Sequence, residues 1–248
     1  MSESTLFAIL LLGFLSGMTT LIGVMLAIYS SRTPKAITFG IGFSTGIMLL
    51  VSFLELIPAA IETSNMSETL VALGFGMLFI AILHWIIPHT HLFKEKGWIN
   101  VPVARSAYLV AFGLILHDIP EGFAMANSFL TSPSLGLMVA LAIALHNIPE
   151  EFAIAVPAAT LHDKGFLYKA AFLSGLAEPA GAALGLFAAY LSSALVPFFL
   201  SFAAGAMIFV SFHELVPMAR RYGNLHFFAA GILLSVVTHI LLGIVVPE

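Results

Sequence analysis

What most constrains the fold of this chain is a succession of eight predominantly apolar stretches. Each is about as long as the ~20 residues an α-helix needs to cross bilayer hydrocarbon at about 1.5 Å per residue. They fall at Leu6–Ser30, Ala36–Ile61, Thr69–Ile87, Ala104–Phe129, Leu135–Ala158, Leu167–Leu191, Leu195–Met218 and Leu225–Val246, which leaves little of the 248 residues for a soluble domain. Charged residues make up 9% of the chain, against about 25% in a typical soluble domain. The expected fold is all-α and membrane-embedded, a single domain over residues 1–248. Met1–Thr5 brings neither a basic region nor a small-residue cleavage site, so the first apolar run reads as a membrane span rather than a signal peptide. There is no Cys, which excludes disulfides and thiolate metal sites.

The cations orient the spans. Short cytoplasmic loops hold Lys and Arg. Arg32 and Lys35 fall in the first loop, Lys94, Lys96 and Arg105 in or beside the third, Lys164 and Lys169 around the fifth, and Arg220 and Arg221 in the seventh. These nine are all the Lys and Arg of the chain, and every one sits in or beside an odd-numbered loop. Eight spans with both termini extracytoplasmic follow, in a cell membrane (inner or plasma). No nucleic-acid partner is expected.

Two segments repeat. Phe43–Pro58 and Phe202–Pro217 both read F-x-x-G-x-M-x-x-V-S-F-x-E-L-x-P, and they lie in spans two and seven, which run in opposite directions. In spans four and five, His117-Asp118-Ile119-Pro120-Glu121 is matched by His146-Asn147-Ile148-Pro149-Glu150. The expected arrangement is 3+2+3, with inverted repeats over 6–87 and 167–246 around a central pair at 104–158. Transporters use such repeats because the halves can exchange conformations and open one site to each side in turn.

A carboxylate or imidazole at mid-membrane costs at least about 2.5–3.5 kcal/mol unless it is paired, hydrated or metal-bound. Such residues nevertheless cluster in spans four to six. Residues i and i+4 share a helix face, so His117 with Glu121 forms one bidentate edge and His146 with Glu150 another. Imidazole nitrogen with carboxylate oxygen suits a borderline dication such as Zn²⁺. Asp118 and Asn147 lie i, i+3 from the same glutamates and mark a neighbouring position, which Glu178 in span six can complete. Pro120, Pro149 and Pro179 cannot donate to the carbonyls of Leu116, Leu145 and Gly175, and the freed oxygens suit a hydrated cation. Asp118, Glu121, Glu150 and Glu178 carry four negative charges, which two dications neutralise. The alternative is polar glue between helices, which does not require two His and four carboxylates at repeated spacing.

Further candidates are less central. Glu55 near the outer end of span two, and Glu214 with His213 near the inner end of span seven, are placed to bind the ion where it enters and leaves. Met48 is within reach of the site. Glu151 points about 100° away from Glu150, towards a cavity or a partner helix. His84, His89, His91 and His162 are placed in cytoplasmic loops, and His239 reads as a hydrogen-bonded core residue.

These residues resemble the ZIP (Zrt-, Irt-like) divalent metal transporters, especially the bacterial zinc-uptake branch. His117–Gly122, as H-D-I-P-E-G, is similar to that family's fourth-helix motif, usually H-N-x-P-E-G. His146–Glu150 is similar to its fifth-helix motif, and Ser174–Glu178 to its sixth-helix S-G-L-A-E. The resemblance implies a binuclear site, with His117, Glu121, His146 and Glu150 for one metal and Asp118, Glu121, Asn147, Glu150 and Glu178 for the other. It also implies uptake towards the cytoplasm, frequent homodimers and elevator-like motion. Asp118 replaces the usual Asn, and Glu151 the usual Gly.

The function expected is therefore transport of divalent transition-metal ions, zinc first, with Fe²⁺, Mn²⁺, Co²⁺ and Cd²⁺ also fitting the donors. The ion is the substrate, and no enzyme activity is expected. No P-loop is present for ATP, and a potential of about 100 mV, negative inside, supplies roughly 4–5 kcal/mol per dication. Efflux is the nearest rival. An intramembrane zinc-dependent hydrolase is the rival from another class, against which H-x-x-P-E does not match the protease pattern H-E-x-x-H.

Overall fold

The computed structural model describes residues 2–31, 33–86, 103–159 and 164–247, with side chains throughout except at 86, 103–116, 157 and 158. Arg32, His89, His91, Lys94, Lys96 and His162, and the side chain of Arg105, therefore lie outside the described residues. Among those described there is no strand. The helical rods are α1 (Glu3–Tyr29), α2 (Pro34–Thr63), α3 (Met66–Ile86), α4 (Val103–Thr131), α5 (Pro133–Ala159), α6 (Lys164–Leu191), α7 (Leu195–Tyr222) and α8 (Leu225–Val245). Seven of them, all but α4, are long and apolar enough to cross a membrane, and α4 is a further helix of 29 residues.

The ends of the rods follow local chemistry. The Ser2 hydroxyl accepts from the Thr5 N–H at 3.2 Å, and Thr33 accepts from Ala36 at 3.2 Å just ahead of Pro34. Each satisfies a backbone donor that the first helical turn leaves unpaired. At the other extreme Gly223, at φ 72, closes α7 behind Arg220 and Arg221, whose charges complement the negative end of the helix.

Two rods are interrupted at matching places. α1 breaks at Met18, after Ser16-Gly17, and α6 breaks at Leu176, after Ser174-Gly175. Both breaks follow the same four residues, F-L-S-G, at 14–17 and 172–175. The two glycines meet: a Cβ on Gly17 would lie 2.1 Å from the carbonyl oxygen of Gly175, and one on Gly175 2.5 Å from that of Gly17. α4 and α5, by contrast, continue as helix past Pro120 and Pro149.

The F-x-x-G-x-M-x-x-V-S-F-x-E-L-x-P segments share a second irregularity. Val51–Leu56 and Ser211–Leu215 are π turns, in which Ile57 N–H reaches the carbonyl of Ser52 and Val216 N–H that of Ser211, each five residues back. Pro58 and Pro217 follow, and a proline ring clashes with the carbonyl four residues before it. The widened turn relieves that clash, and it re-aims the glutamate it contains.

Packing separates inner from outer helices. Of the most apolar stretch of each rod, 67% of residues are buried in α2 and α5 but 22% in α3 and 17% in α8. Large apolar side chains such as Phe75, Leu233 and Ile244 stand exposed on those outer rods, as helices facing lipid require. α4 packs on α6 through reciprocal glycines: a Cβ on Gly122 would lie 2.1 Å from the Glu178 carbonyl oxygen, and one on Gly181 2.3 Å from that of Ile119. Close backbone approach of this kind is the usual basis of helix association in a membrane. Gly122→Val is expected to force α4 and α6 apart at a cost of about 1–3 kcal/mol or more, seen as a lower midpoint of thermal aggregation in detergent. Gly74→Ala, where nothing lies within 4 Å of the new Cβ, is expected to match the wild type.

Candidate metal site

The central ligands come from α4 and α5, which place two i, i+4 pairs against each other. The pairs cross. His117 Nε2 lies 3.3 Å from Glu150 Oε1, and His146 Nε2 lies 3.2 Å from Glu121 Oε1. Each imidazole thus faces the carboxylate of the other helix, as expected where two copies of H-x-x-x-E run antiparallel.

The second pair has a further contact on the far side of its imidazole. His146 Nδ1 sits 3.0 Å from the carbonyl of Ala142. A ring N–H donated there leaves Nε2 as a lone pair in the neutral imidazole. In that form the lone pair points at a carboxylate oxygen, and either a proton on Nε2 or a metal ion fills the space between the two acceptors. The spacing fits a metal. Tetrahedral ligands at about 2.0 Å from zinc are about 3.3 Å apart, and the two pairs are 3.2 and 3.3 Å apart. Glu121 Oε2 and both carboxylate oxygens of Glu150 are buried without a hydrogen-bond partner. Buried carboxylate oxygens of that kind are costly without a compensating charge.

Asp118 extends the group. One ligand atom each from His117, Asp118 and Glu121 lies within 4.8 Å of the others, and Asp118 Oδ1 is 3.2 Å from His117 Nε2. The other oxygen of Asp118 accepts from the Ser174 hydroxyl at 2.6 Å. Glu178, 1% exposed at the start of the second half of α6, accepts from Asn147 Nδ2 at 2.5 Å and from the Ser16 hydroxyl. The structure therefore brings together all seven residues of the central prediction: His117, Asp118, Glu121, His146, Asn147, Glu150 and Glu178. It also adds two serines that hold the carboxylates of the oxygen-rich side. Ser16 is not identified by ligand spacing, because a serine in an apolar span carries no metal signature. The repeated F-L-S-G segment is the signal that points to it.

The flanking candidates lie on other helices. Glu55, in the α2 π turn, is 3.2 Å from His239 on α8. Glu214, in the α7 π turn, is 3.3 Å from His84 on α3, and the rings of His84 and His213 meet edge to face at 4.7 Å. The same glutamate of the same repeated segment thus faces a histidine of an outer helix twice. The partner of His239 is an acid, Glu55, and His84 lies within α3 rather than in a loop. Met48 is buried with its sulfur 3.9 Å from the Ser211 hydroxyl. Glu151, 2% exposed, faces α1: a Cβ on Gly23 would lie 2.5 Å from its Cβ.

Comparison with known proteins identifies the family. A family model described as ZIP zinc transporter matches residues 94–246. Zinc transporter ZupT of Chlorobium limicola is 39% identical over 94% of this chain and 95% of its own length. Zinc transporter ZupT of Streptococcus mutans is 37% identical over 92% of this chain and 93% of its own. Zinc transporter ZupT of Stenotrophomonas maltophilia is 35% identical over 85% of each. The chain is thus a multi-pass membrane protein and a transporter rather than an enzyme, and it belongs to the ZIP zinc transporter family.

Proposed function

We propose that this chain takes up divalent transition-metal ions, zinc first, into the cytoplasm across the inner or plasma membrane. The observation that carries the proposal is the crossed pair His117–Glu150 and His146–Glu121, spaced as tetrahedral zinc ligands and supplied with buried carboxylate oxygens that accept no hydrogen bond. In this reading α4 is an eighth span, both termini are extracytoplasmic, and spans one to three and six to eight are inverted repeats around α4 and α5. The distribution of Lys and Arg, the paired breaks in α1 and α6, and the paired π turns in α2 and α7 support it.

The proposed centre is binuclear. His117, Glu121, His146 and Glu150 hold an ion with nitrogen and oxygen donors. Asp118, Asn147 and Glu178, braced by Ser16 and Ser174, form the oxygen-rich neighbour, with Glu121 and Glu150 shared between the two. A hydrated ion exchanges water for these ligands. Glu55 meets it on the outer side, and Glu214 with His213 receives it on the cytoplasmic side. A membrane potential of about 100 mV, worth roughly 4–5 kcal/mol per dication, drives the ion inward without ATP.

Zinc flux into proteoliposomes tests the centre. The wild type is expected to transport and the Glu121→Ala/Glu150→Ala double mutant to fall to the liposome background. Zinc bound by the wild type with no flux in either protein would sink the transport reading. Among the bracing residues, Ser16→Ala and Ser174→Ala are expected to weaken zinc binding about 10–100-fold, the usual range for groups that orient metal ligands, as measured by competition with a fluorescent chelator. Glu55→Gln is expected to raise the outside zinc concentration needed for half-maximal uptake with the maximal rate retained. Initial rates across a zinc series check this.

A further inference from the structure

The proposed function gives His239 no task. It stands on α8, an outer helix whose neighbouring side chains Val236, Val237, Ile240 and Leu241 are exposed, as lipid-facing residues are. An imidazole on such a helix is costly unless it is paired. The partner it finds is Glu55 on α2, whose Oε1 lies 3.2 Å from Nε2. The other ring nitrogen, Nδ1, is buried with no hydrogen-bond partner. A neutral imidazole carries a single N–H, so Nε2 carries it and donates it to Glu55.

That bond occupies Oε1 and leaves Oε2 for a further partner. The Glu55 side chain keeps 15% of its surface exposed, and the π turn that carries it packs against α7 and against α5, a helix of the central site. A glutamate side chain has several rotatable bonds, and fixing it in one pose costs rotamer entropy when an ion binds. A donor already on Oε1 removes that cost before the ion arrives. The matching turn of α7 shows why His239 matters on this side. There Glu214 faces His84 and stands next to His213, and the two rings meet at 4.7 Å. In the α2 copy of the segment Leu54 takes the place of His213. Among the described residues, His239 is then the imidazole that holds Glu55.

We propose that His239 is a positioning residue for ion entry: its Nε2–H holds Glu55 Oε1 so that Oε2 is presented to the incoming dication. The imidazole touches the carboxylate and not the ion, as donors that orient metal-ligating groups do. The inference rests on the reading of Glu55 as the outer ligand. A packing role alone, joining α8 to α2, would not care whether the side chain at 239 carries a donor.

Initial rates of zinc uptake by the full chain in proteoliposomes, across a zinc series, test it. His239→Ala is expected to raise the half-saturating zinc about 10-fold, the lower end of the range for groups that orient a ligand, with the maximal rate retained. His239→Leu, which keeps bulk and loses the donor, is expected to do the same. His239→Gln, whose amide N–H can donate in place of Nε2–H, is expected to restore the wild-type value. In a Glu55→Ala background His239→Ala is expected to add nothing, because both act through one carboxylate. Equal half-saturation in His239→Gln and His239→Leu overturns the proposal, and this comparison decides even where the alanine variant does not fold. A lower maximal rate with unchanged half-saturation in His239→Leu also overturns it, because His239 would then only join two helices. An additive effect in the double variant does so too. Wild-type half-saturation in Glu55→Ala would instead refute the outer-ligand reading, and this inference with it.

Discussion

A carboxylate inside a helical bundle surrounded by lipid cannot be left to water, and the organisation of this protein follows from how that cost is met. Asp118, Glu121, Glu150, Glu151 and Glu178 are each at most 2% exposed. Two of them are satisfied largely by protein donors: Asp118 by Ser174, and Glu178 by Asn147 and Ser16. Glu121 and Glu150 instead face imidazoles at zinc-ligand spacing and keep oxygens that accept no hydrogen bond. The donors that would have completed them are missing where an ion can serve. A bundle selected only for stability would fill those valences with hydrogen bonds, because an unmade bond to a buried charged group costs more than a made one returns.

Much of this was legible in the chain itself. The all-helical, membrane-embedded character rests on apolar length, and the set of residues that meet at the centre rests on i, i+4 spacing along one helix. Each of these is a local property. What was not legible depends on how separate helices register. That His117 meets Glu150 rather than its own Glu121 requires the relative height of α4 and α5. The pairing of Glu55 with His239 and of Glu214 with His84 depends on π turns, which the sequence announces only through Pro58 and Pro217. The sequence therefore reads His239 as a hydrogen-bonded core residue without identifying its partner. The F-L-S-G repeat is present in the sequence, but four residues in an apolar composition mean little until both copies prove to break a helix and to touch at Gly17 and Gly175.

The helices divide by the kind of contact they make. The seven central polar residues and the serines that contact them lie on α1, α4, α5 or α6, and both flanking Glu–His contacts lie on α2, α3, α7 and α8. Within each group, backbone meets backbone through reciprocal glycines. Gly122 with Gly181 and Gly17 with Gly175 join the first. In the second, a Cβ on Gly42 or Gly231 would lie 2.2 Å from a carbonyl oxygen of the other helix, and one on Gly76 or Gly205 at 1.9 or 2.1 Å. Contacts that close cannot slip without lifting a helix out of its groove.

Between the groups the contacts are of another kind. Gly40 faces the ring of Pro149, where a Cβ would sit 3.0 Å away, and the Ser44 hydroxyl donates to the His146 carbonyl at 2.8 Å. Phe123 stacks on Phe199 with ring centres 4.9 Å apart. Side-chain contacts of this sort can be exchanged for equivalent ones at a neighbouring position, because rings and methylenes are less particular than a glycine wedged on a carbonyl. The seam between the ligand-bearing helices and the flanking ones is therefore the place where the bundle resists rearrangement least. His117, Glu121, His146 and Glu150 lie on one side of that seam, and the carboxylates of Glu55 and Glu214 lie on the other.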